Sequence, residues 1–336
     1  MPIPELLRGR LAVPVVGAPM FILSGPELVI AQCKAGIVGS FPALNARPQS
    51  LLDQWLARIR EELDAHDRHH PERPAAPFAV NQIAHRSNAR LEQDLETCVK
   101  HRVPIVITSL GAREEVNQMI HGYGGIVFHD VINDRFARKA IEKGADGLIA
   151  VAAGAGGHAG TLSPFALVQE IRRWFDGPLL LSGSIATGRA VLAAQAMGAD
   201  LAYVGSAFIA TREANANPEY KQMVVDSHAA DIVYSSLFSG VAGNYLAPSI
   251  RRAGLDPEAL PEGDPSKMNF GERRGEGGPG GPKAWKDIWG CGQGVGVVDS
   301  VVDAATLVAR LATEYAEARA AICGSPANDD RVRPSK

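Results

Sequence analysis

The stretch PLLLSGSIATGRAVLAAQAMGADLAYVGSAFIAT, Pro178–Thr211, decides the fold. Pro178–Ser182 is an apolar run that stops at Ser182-Gly183-Ser184, the pattern of a buried strand ending in a glycine turn. Thr187-Gly188-Arg189 then opens a helix on which Ala190, Val191, Ala194 and Met197 recur at helical spacing, and Gly198 stops it. Leu201–Val204 is a second short apolar run, closed by Gly205-Ser206. Two parallel strands joined by one helix place both turns at the same end of a sheet. Bare glycine lets an anion approach the backbone, and N–H groups with hydroxyls are what a phosphate needs. Either turn alone reads equally well as a tight turn. Two on consecutive strands point to phosphate, because barrel enzymes carry such a site after their last two strands.

The same alternation of apolar run and amphipathic helix extends back to the start of the chain. Strands are expected at Val13–Gly17, Ile37–Phe41, Phe78–Gln82, Pro104–Thr108, Gly125–Val131 and Gly147–Val151, with helices between them. Eight strand–helix units in about 210 residues, roughly 25–30 each, is the arithmetic of a (β/α)8 TIM barrel. A doubly wound open sheet would carry one G-x-G-x-x-G turn after its first strand, and VVGAPM (Val15–Met20) lacks it. After Thr211 the alternation stops. Pro218–Asp231 and Ile232–Phe238 read as helical, Ser239–Asn244 as a small-residue turn, and Glu272–Pro282 (ERRGEGGPGGP) as a mobile loop. Trp285–Val298 restores order before a terminal helix at Val301–Ile322. The expected division is a barrel from residues 1–211 and 285–325, an inserted cap over 212–284 on the strands' C-terminal face, and a flexible tail at 326–336.

With 336 residues, 46% of them hydrophobic and 21% charged, the chain has the composition of a globular protein with a full core. A net charge of −3 with scattered Lys and Arg gives no reason to expect nucleic acid or an anionic membrane surface as partner. No apolar stretch approaches the roughly 20 residues of a membrane span, and Met1–Glu5 does not read as a signal peptide. Cys33, Cys98, Cys291 and Cys323 are far apart, which suits reduced thiols in a cytoplasmic protein. The cluster His66, His69, His70 falls in an expected polar connector without metal-ligand spacing.

His158 is the residue most suited to chemistry. It lies after the sixth strand in AGAGGHAG (Ala153–Gly160), at the barrel end where active sites form. Gly154, Gly156, Gly157 and Gly160 let backbone press against a flat ligand and leave one imidazole free to move a proton or hydrogen-bond an anion. Four other loops share that face: Gly17-Ala18-Pro19-Met20, Asn81-Gln82, Thr108-Ser109 and His129-Asp130. The first suits one side of an aromatic ring system, and Asn81 can donate and accept toward a ring edge or a phosphate. His129 and Asp130 read as a pair that could simply bind one another.

VVGAPM, FAVNQ, AGAGGHAG, the 178–211 stretch and the late WGCGQGVG resemble the nitronate monooxygenase family, formerly 2-nitropropane dioxygenases, over about residues 10–320. The resemblance implies an FMN-containing TIM barrel in which Gly183, Ser184, Gly205 and Ser206 hold the FMN phosphate. Ser182 and Gly157 join them in the implied cofactor site. Ala18, Pro19, Met20 and Asn81 would line the isoalloxazine, Gly292 and Gln293 would close over it, and His158 matches the family's catalytic histidine. The implied partners are O2 and an alkyl nitronate or nitroalkane. The same framework resembles NAD(P)H:quinone reductases and FMN enoyl-acyl carrier protein reductases, which makes NAD(P)H oxidation the alternative. Where some relatives carry a lysine beside the flavin, this chain has Asp130. A flavin-free barrel of the inosine-phosphate dehydrogenase kind would need a cysteine after the sixth strand, and AGAGGHAG has none. No heptad seam points to a coiled-coil assembly, and an oligomer through other surfaces is left open.

Overall fold

Strands of only three to six residues form the centre of the molecule. The computed structural model describes residues 3–264 and 285–323. The loop expected at 272–282 and the tail expected at 326–336 lie outside the described residues. The barrel strands are β1 (Val15–Gly17), β2 (Gly39–Pro42), β3 (Phe78–Ile83), β4 (Ile105–Ser109), β5 (Ile126–Val131), β6 (Gly147–Val151), β8 (Leu179–Ser182) and β9 (Leu201–Val204). They pair in parallel in the order β1-β9-β8-β6-β5-β4-β3-β2. The two ends of that order meet at a parallel bridge between Val16 and Val38. There Gly17 N–H donates to Val38 O at 2.8 Å, so the sheet closes into a TIM barrel.

Period-2 alternation assigns each side chain to one of two cores. Val16, Ala79, Ile107, Phe128, Ile149, Leu180 and Leu201 point inward and fill the barrel. Their neighbours, such as Val80, Val106 and Val127, point outward to the helical layer. Both faces are buried, so the strands read as continuous apolar runs.

The surrounding helices are α1 (Pro26–Lys34), α2 (Leu51–His69), α3 (Leu91–Lys100), α4 (Glu114–His121), α5 (Asp134–Glu142), α6 (Pro164–Arg172) and α7 (Gly188–Met197). Helix α2 runs on to His69, so His66 and His69 belong to its last turn rather than to the expected connector. His69 Nδ1 meets Ala65 O at 2.7 Å, a use of histidine at a helix C-terminus, where unpaired carbonyls collect.

Beyond β9 come α8 (Ser206–Ile209), α9 (Pro218–Asp226), α10 (Ala247–Arg252) and the long α11 (Ala304–Cys323). Helix α11 returns to the barrel and fills the gap between α7 and α1. Glu314 Oε2 accepts from Gly188 N–H at 2.6 Å, and Tyr315 Oη donates to Gln195 Oε1 at 2.5 Å.

The helix expected at Ile232–Phe238 is instead a strand. β10 (Ile232–Ser235) pairs antiparallel with β11 (Gly243–Leu246), which pairs in turn with β7 (Gly157–His158). Ile232, Val233 and Tyr234 are β-branched or aromatic, types that favour a strand once an edge is available. That edge is the turn carrying His158, far away in sequence, so local periodicity could not reveal the pairing. No helix among the described residues is long and apolar enough to cross a membrane.

Candidate active site

Two residues beyond the apolar filling, the inward face turns polar. Asn81 follows Ala79 on β3, Ser109 follows Ile107 on β4, and Asp130 follows Phe128 on β5. Asn81 Nδ2 donates to Ser109 Oγ at 2.7 Å, and Ser109 Oγ donates to Asp130 Oδ2 at 2.5 Å. The other oxygen, Asp130 Oδ1, is buried with no hydrogen-bond partner among the described residues. Burial pushes this carboxyl up to about 6, against the weaker lowering effect of the Ser109 hydrogen bond. Tyr203 completes the inward ring from β9; burial first, and then the Asp130 charge, push its phenol well above its usual value.

His129 and Asp130 do not pair. Adjacent strand residues face opposite ways, and His129 points outward, where its Nδ1 meets Thr108 Oγ1 at 2.6 Å. It is 5% exposed. Burial lowers it to about 4, so it is neutral and structural at neutral pH.

On the opposite arc of the rim, side chains give way to backbone. Gly183 has φ +137 and Ser184 φ +56, a left-handed conformation that only glycine adopts without cost. Gly154, also left-handed, lies against this turn: a Cβ there would collide with Ser184 Oγ. Among the described residues the N–H groups of Gly183, Gly205 and Ser206 donate no backbone hydrogen bond. Unsatisfied N–H groups beside glycines form a cradle for an anion. Residues 290–294 stitch it together. Gly292 N–H donates to Ser206 Oγ at 2.8 Å, and Gln293 N–H donates to Gly154 O at 2.9 Å.

His158 is held by the pairing of β7 with β11 rather than left on a free loop. Asn244 Nδ2 from β11 donates to Ala155 O at 2.7 Å, which ties the same hairpin to the glycine turn. His158 Nε2 meets Ser239 Oγ at 2.9 Å, while Ser239 Oγ donates its single hydrogen to Val241 O at 3.0 Å. Ser239 is therefore the acceptor at His158, which puts the imidazole proton on Nε2. Trp285 stands edge-on to the imidazole with ring centroids 5.5 Å apart.

These groups open onto one cavity of about 550 Å³ at the C-terminal end of the barrel. That is within the range of small-molecule and cofactor sites. Its wall includes Ala18, Pro19, Met20, Asn81, Gly157, His158, Ser182, Gly183, Ser184, Gly205, Ser206 and Gly292. Of the residues that the family resemblance assigns to the site, Gln293 alone is absent from the wall, and of the wider set of turn residues expected on this face Gly17, Gln82, Thr108 and Gly160 also lie outside it. Gln293 is exposed, and its contribution is the bond to Gly154. Sequence reasoning missed Tyr203, Lys139 and Trp285, and it placed Ser239 only within a stretch, Tyr234–Tyr245, expected to shape the substrate pocket. The period-2 pattern of Leu201 and Tyr203 carried a usable signal for the first. Lys139 comes to the wall from α5, while Ser239 and Trp285 come from parts of the chain remote from the strands in sequence. A flavin mononucleotide fits this inventory in kind, with an apolar wall for a ring and an N–H cradle for a phosphate. Ser109 and Asn81 add polar atoms to the wall on the arc opposite the cradle.

Fold and cavity together define a TIM-barrel enzyme with a cofactor-sized site at the strand ends. Residues 7–314 match the family model described as nitronate monooxygenase, and the chain belongs to that family of flavin-dependent oxidoreductases. It is 26% identical over 294 residues to a nitronate monooxygenase of Paraburkholderia phytofirmans, covering 73% of this chain and 76% of the relative. A nitroalkane oxidase from Streptomyces ansochromogenes superposes with TM-score 0.75 at 25% identity, over 93% of this chain and 98% of that one. FabK from Thermotoga maritima superposes with TM-score 0.74 over 95% and 97% of the two chains; at 23% identity it speaks for the fold alone.

Proposed function

We propose that the chain is an FMN-dependent monooxygenase that converts alkyl nitronates to carbonyl compounds and nitrite with O2. Two nitronates and one O2 balance to two carbonyl compounds and two nitrites. The observation that carries this reading is that the His158 turn and both glycine-serine turns line a single cavity. In this reading Gly183, Ser184, Gly205 and Ser206 hold the FMN phosphate, while Ala18, Pro19, Met20 and Asn81 flank the ring. When bound, FMN supplies the electron transfer between nitronate and O2. The protein's share is placement and electrostatics. His158, held through Nε2 by Ser239, presents Nδ1 to the substrate: it takes a proton there only if a neutral nitroalkane is used, and it hydrogen-bonds the nitronate oxygens through that nitrogen when it carries a proton. Met20, Phe21 and Trp285 wall the substrate side and keep bulk water from the reacting atoms.

The test is oxygen uptake by the FMN-loaded protein with propionate-3-nitronate and small alkyl nitronates. Turnover is expected, with nitrite released. Zero turnover above a His158→Ala control overturns the reading. Rapid anaerobic bleaching of the flavin by NADH or NADPH would favour a reductase instead.

A further inference from the structure

The carboxyl group in the cavity wall has no role in the reaction as drawn above. We propose that Asp130 decides whether this cavity accepts an oxyanion: the site takes a nitronate or a carboxylate only once Asp130 carries a proton. The inference rests on the reading of the cavity as the substrate site.

The hydrogen-bond chain has a direction. Asn81 donates to Ser109, and Ser109 donates to Asp130 Oδ2, so Asp130 receives one hydrogen from its supports. Oδ1 is buried and receives none among the described residues. An ionised carboxylate usually collects two or three donors or a cation when it is removed from water. Among the described residues Lys139 is the only lysine or arginine in the cavity wall, and no ion pair between described residues joins it to Asp130. The titratable groups around Asp130 can be named from each side. β9 presents Tyr203, and β5 itself presents His129 on its other face. The cavity wall adds His85, His158, Tyr220 and Lys139, while β4 and β6 contribute no titratable side chain. Burial raises the carboxyl to about 6, so it changes charge near the lower edge of the neutral range.

A substrate anion placed within ~6 Å of an ionised Asp130 would meet a repulsion worth roughly a hundredfold in affinity at an effective dielectric constant of ~20. Protonation removes that repulsion and leaves an acid that can donate toward the anion. Binding of the anion therefore takes up a proton at any pH above the carboxyl's own midpoint.

The experiment uses propionate, whose planar carboxylate matches a nitronate in shape and charge but does not react. Its dissociation constant is measured by perturbation of the flavin absorption of the FMN-loaded protein, from about pH 5.5 to about pH 8.5. Wild type is expected to weaken by about tenfold more per pH unit than Asp130→Asn above the Asp130 midpoint. Ser109→Ala removes the one donor to the carboxyl and is expected to move that weakening to higher pH. Equal slopes in wild type and Asp130→Asn overturn the proposal, as does absence of propionate binding at acid pH. An infrared titration of the flavin-free protein separates this inference from the cofactor reading. The carboxylic acid C=O band lost in Asp130→Asn is expected to titrate near about 6. Titration of that band in the ordinary carboxylate range contradicts the proposal, whether or not the protein holds FMN.

Discussion

The rim of the barrel has two arcs built by different means. After β8 and β9 it consists of turns whose side chains are hydrogen or a short hydroxyl, and the working groups are backbone N–H. After β3, β4 and β5 the backbone lies in regular strands, and the working groups are the side chains of Asn81, Ser109 and Asp130. The first arc should tolerate changes of charge nearby but no added volume. The second should tolerate isosteric exchange but register every change in hydrogen bonding or ionisation. One arc is fixed by sterics, the other by protons.

The largest effect expected from this contrast is Gly183→Val. At φ +137 the new side chain is strained, and its Cβ would lie 2.7 Å from Ala153 O. Retention of FMN through gel filtration should be lost, whereas Asp130→Asn should emerge yellow. If both variants keep FMN, the arcs do not differ as described. His158→Ala should retain FMN but lose oxygen uptake by about a hundredfold or more, the usual scale for a positioned acid or base. Ser206→Ala leaves Gly292 N–H without its acceptor. A loss of about 1–2 kcal/mol, seen as about tenfold weaker FMN binding, is expected from fluorescence titration.

The smallest effect concerns two neighbours on β5. Asp130 has its carboxyl raised from 3.8 to about 6, so the folded state binds the extra proton and the stability it confers is lost as pH rises through that window. His129 is lowered from 6.5 to about 4, so its contribution is present above 6.5 and lost as pH falls toward 4. The two slopes oppose one another in wild type. Urea midpoints should rise with pH between about 4 and 6 in Asp130→Asn more steeply than in wild type, by at most about 2 kcal/mol across the window. A His129→Asn variant should tilt the other way.

The contrast also explains what was legible in the sequence. Glycine turns announce themselves, because Ser182-Gly183-Ser184 and Gly205-Ser206 interrupt apolar runs at fixed places. Both prove to line one wall with His158. All eight barrel strands were readable for the same reason, as short apolar runs between helical patterns. The polar arc was only half readable. Asn81, Ser109, His129 and Asp130 could be placed on the correct rim, but which of the last two faces inward depends on the register of β5 against Phe128. The support of His158 was not readable at all. β11 pairs with the His158 turn, Ser239 bonds the imidazole and Trp285 stands against it, all from more than 80 residues away in the chain, and Ile232–Ser235 has no local pattern that requires a strand.

The most direct measurement compares FMN with riboflavin, which differ by the phosphate alone, on flavin-stripped protein by fluorescence quenching. If the paired glycine-serine turns grip that phosphate, FMN should bind at least about a hundredfold more tightly, the worth of two charge-assisted hydrogen bonds. Equal affinity for the two, or no affinity for either, would contradict the account.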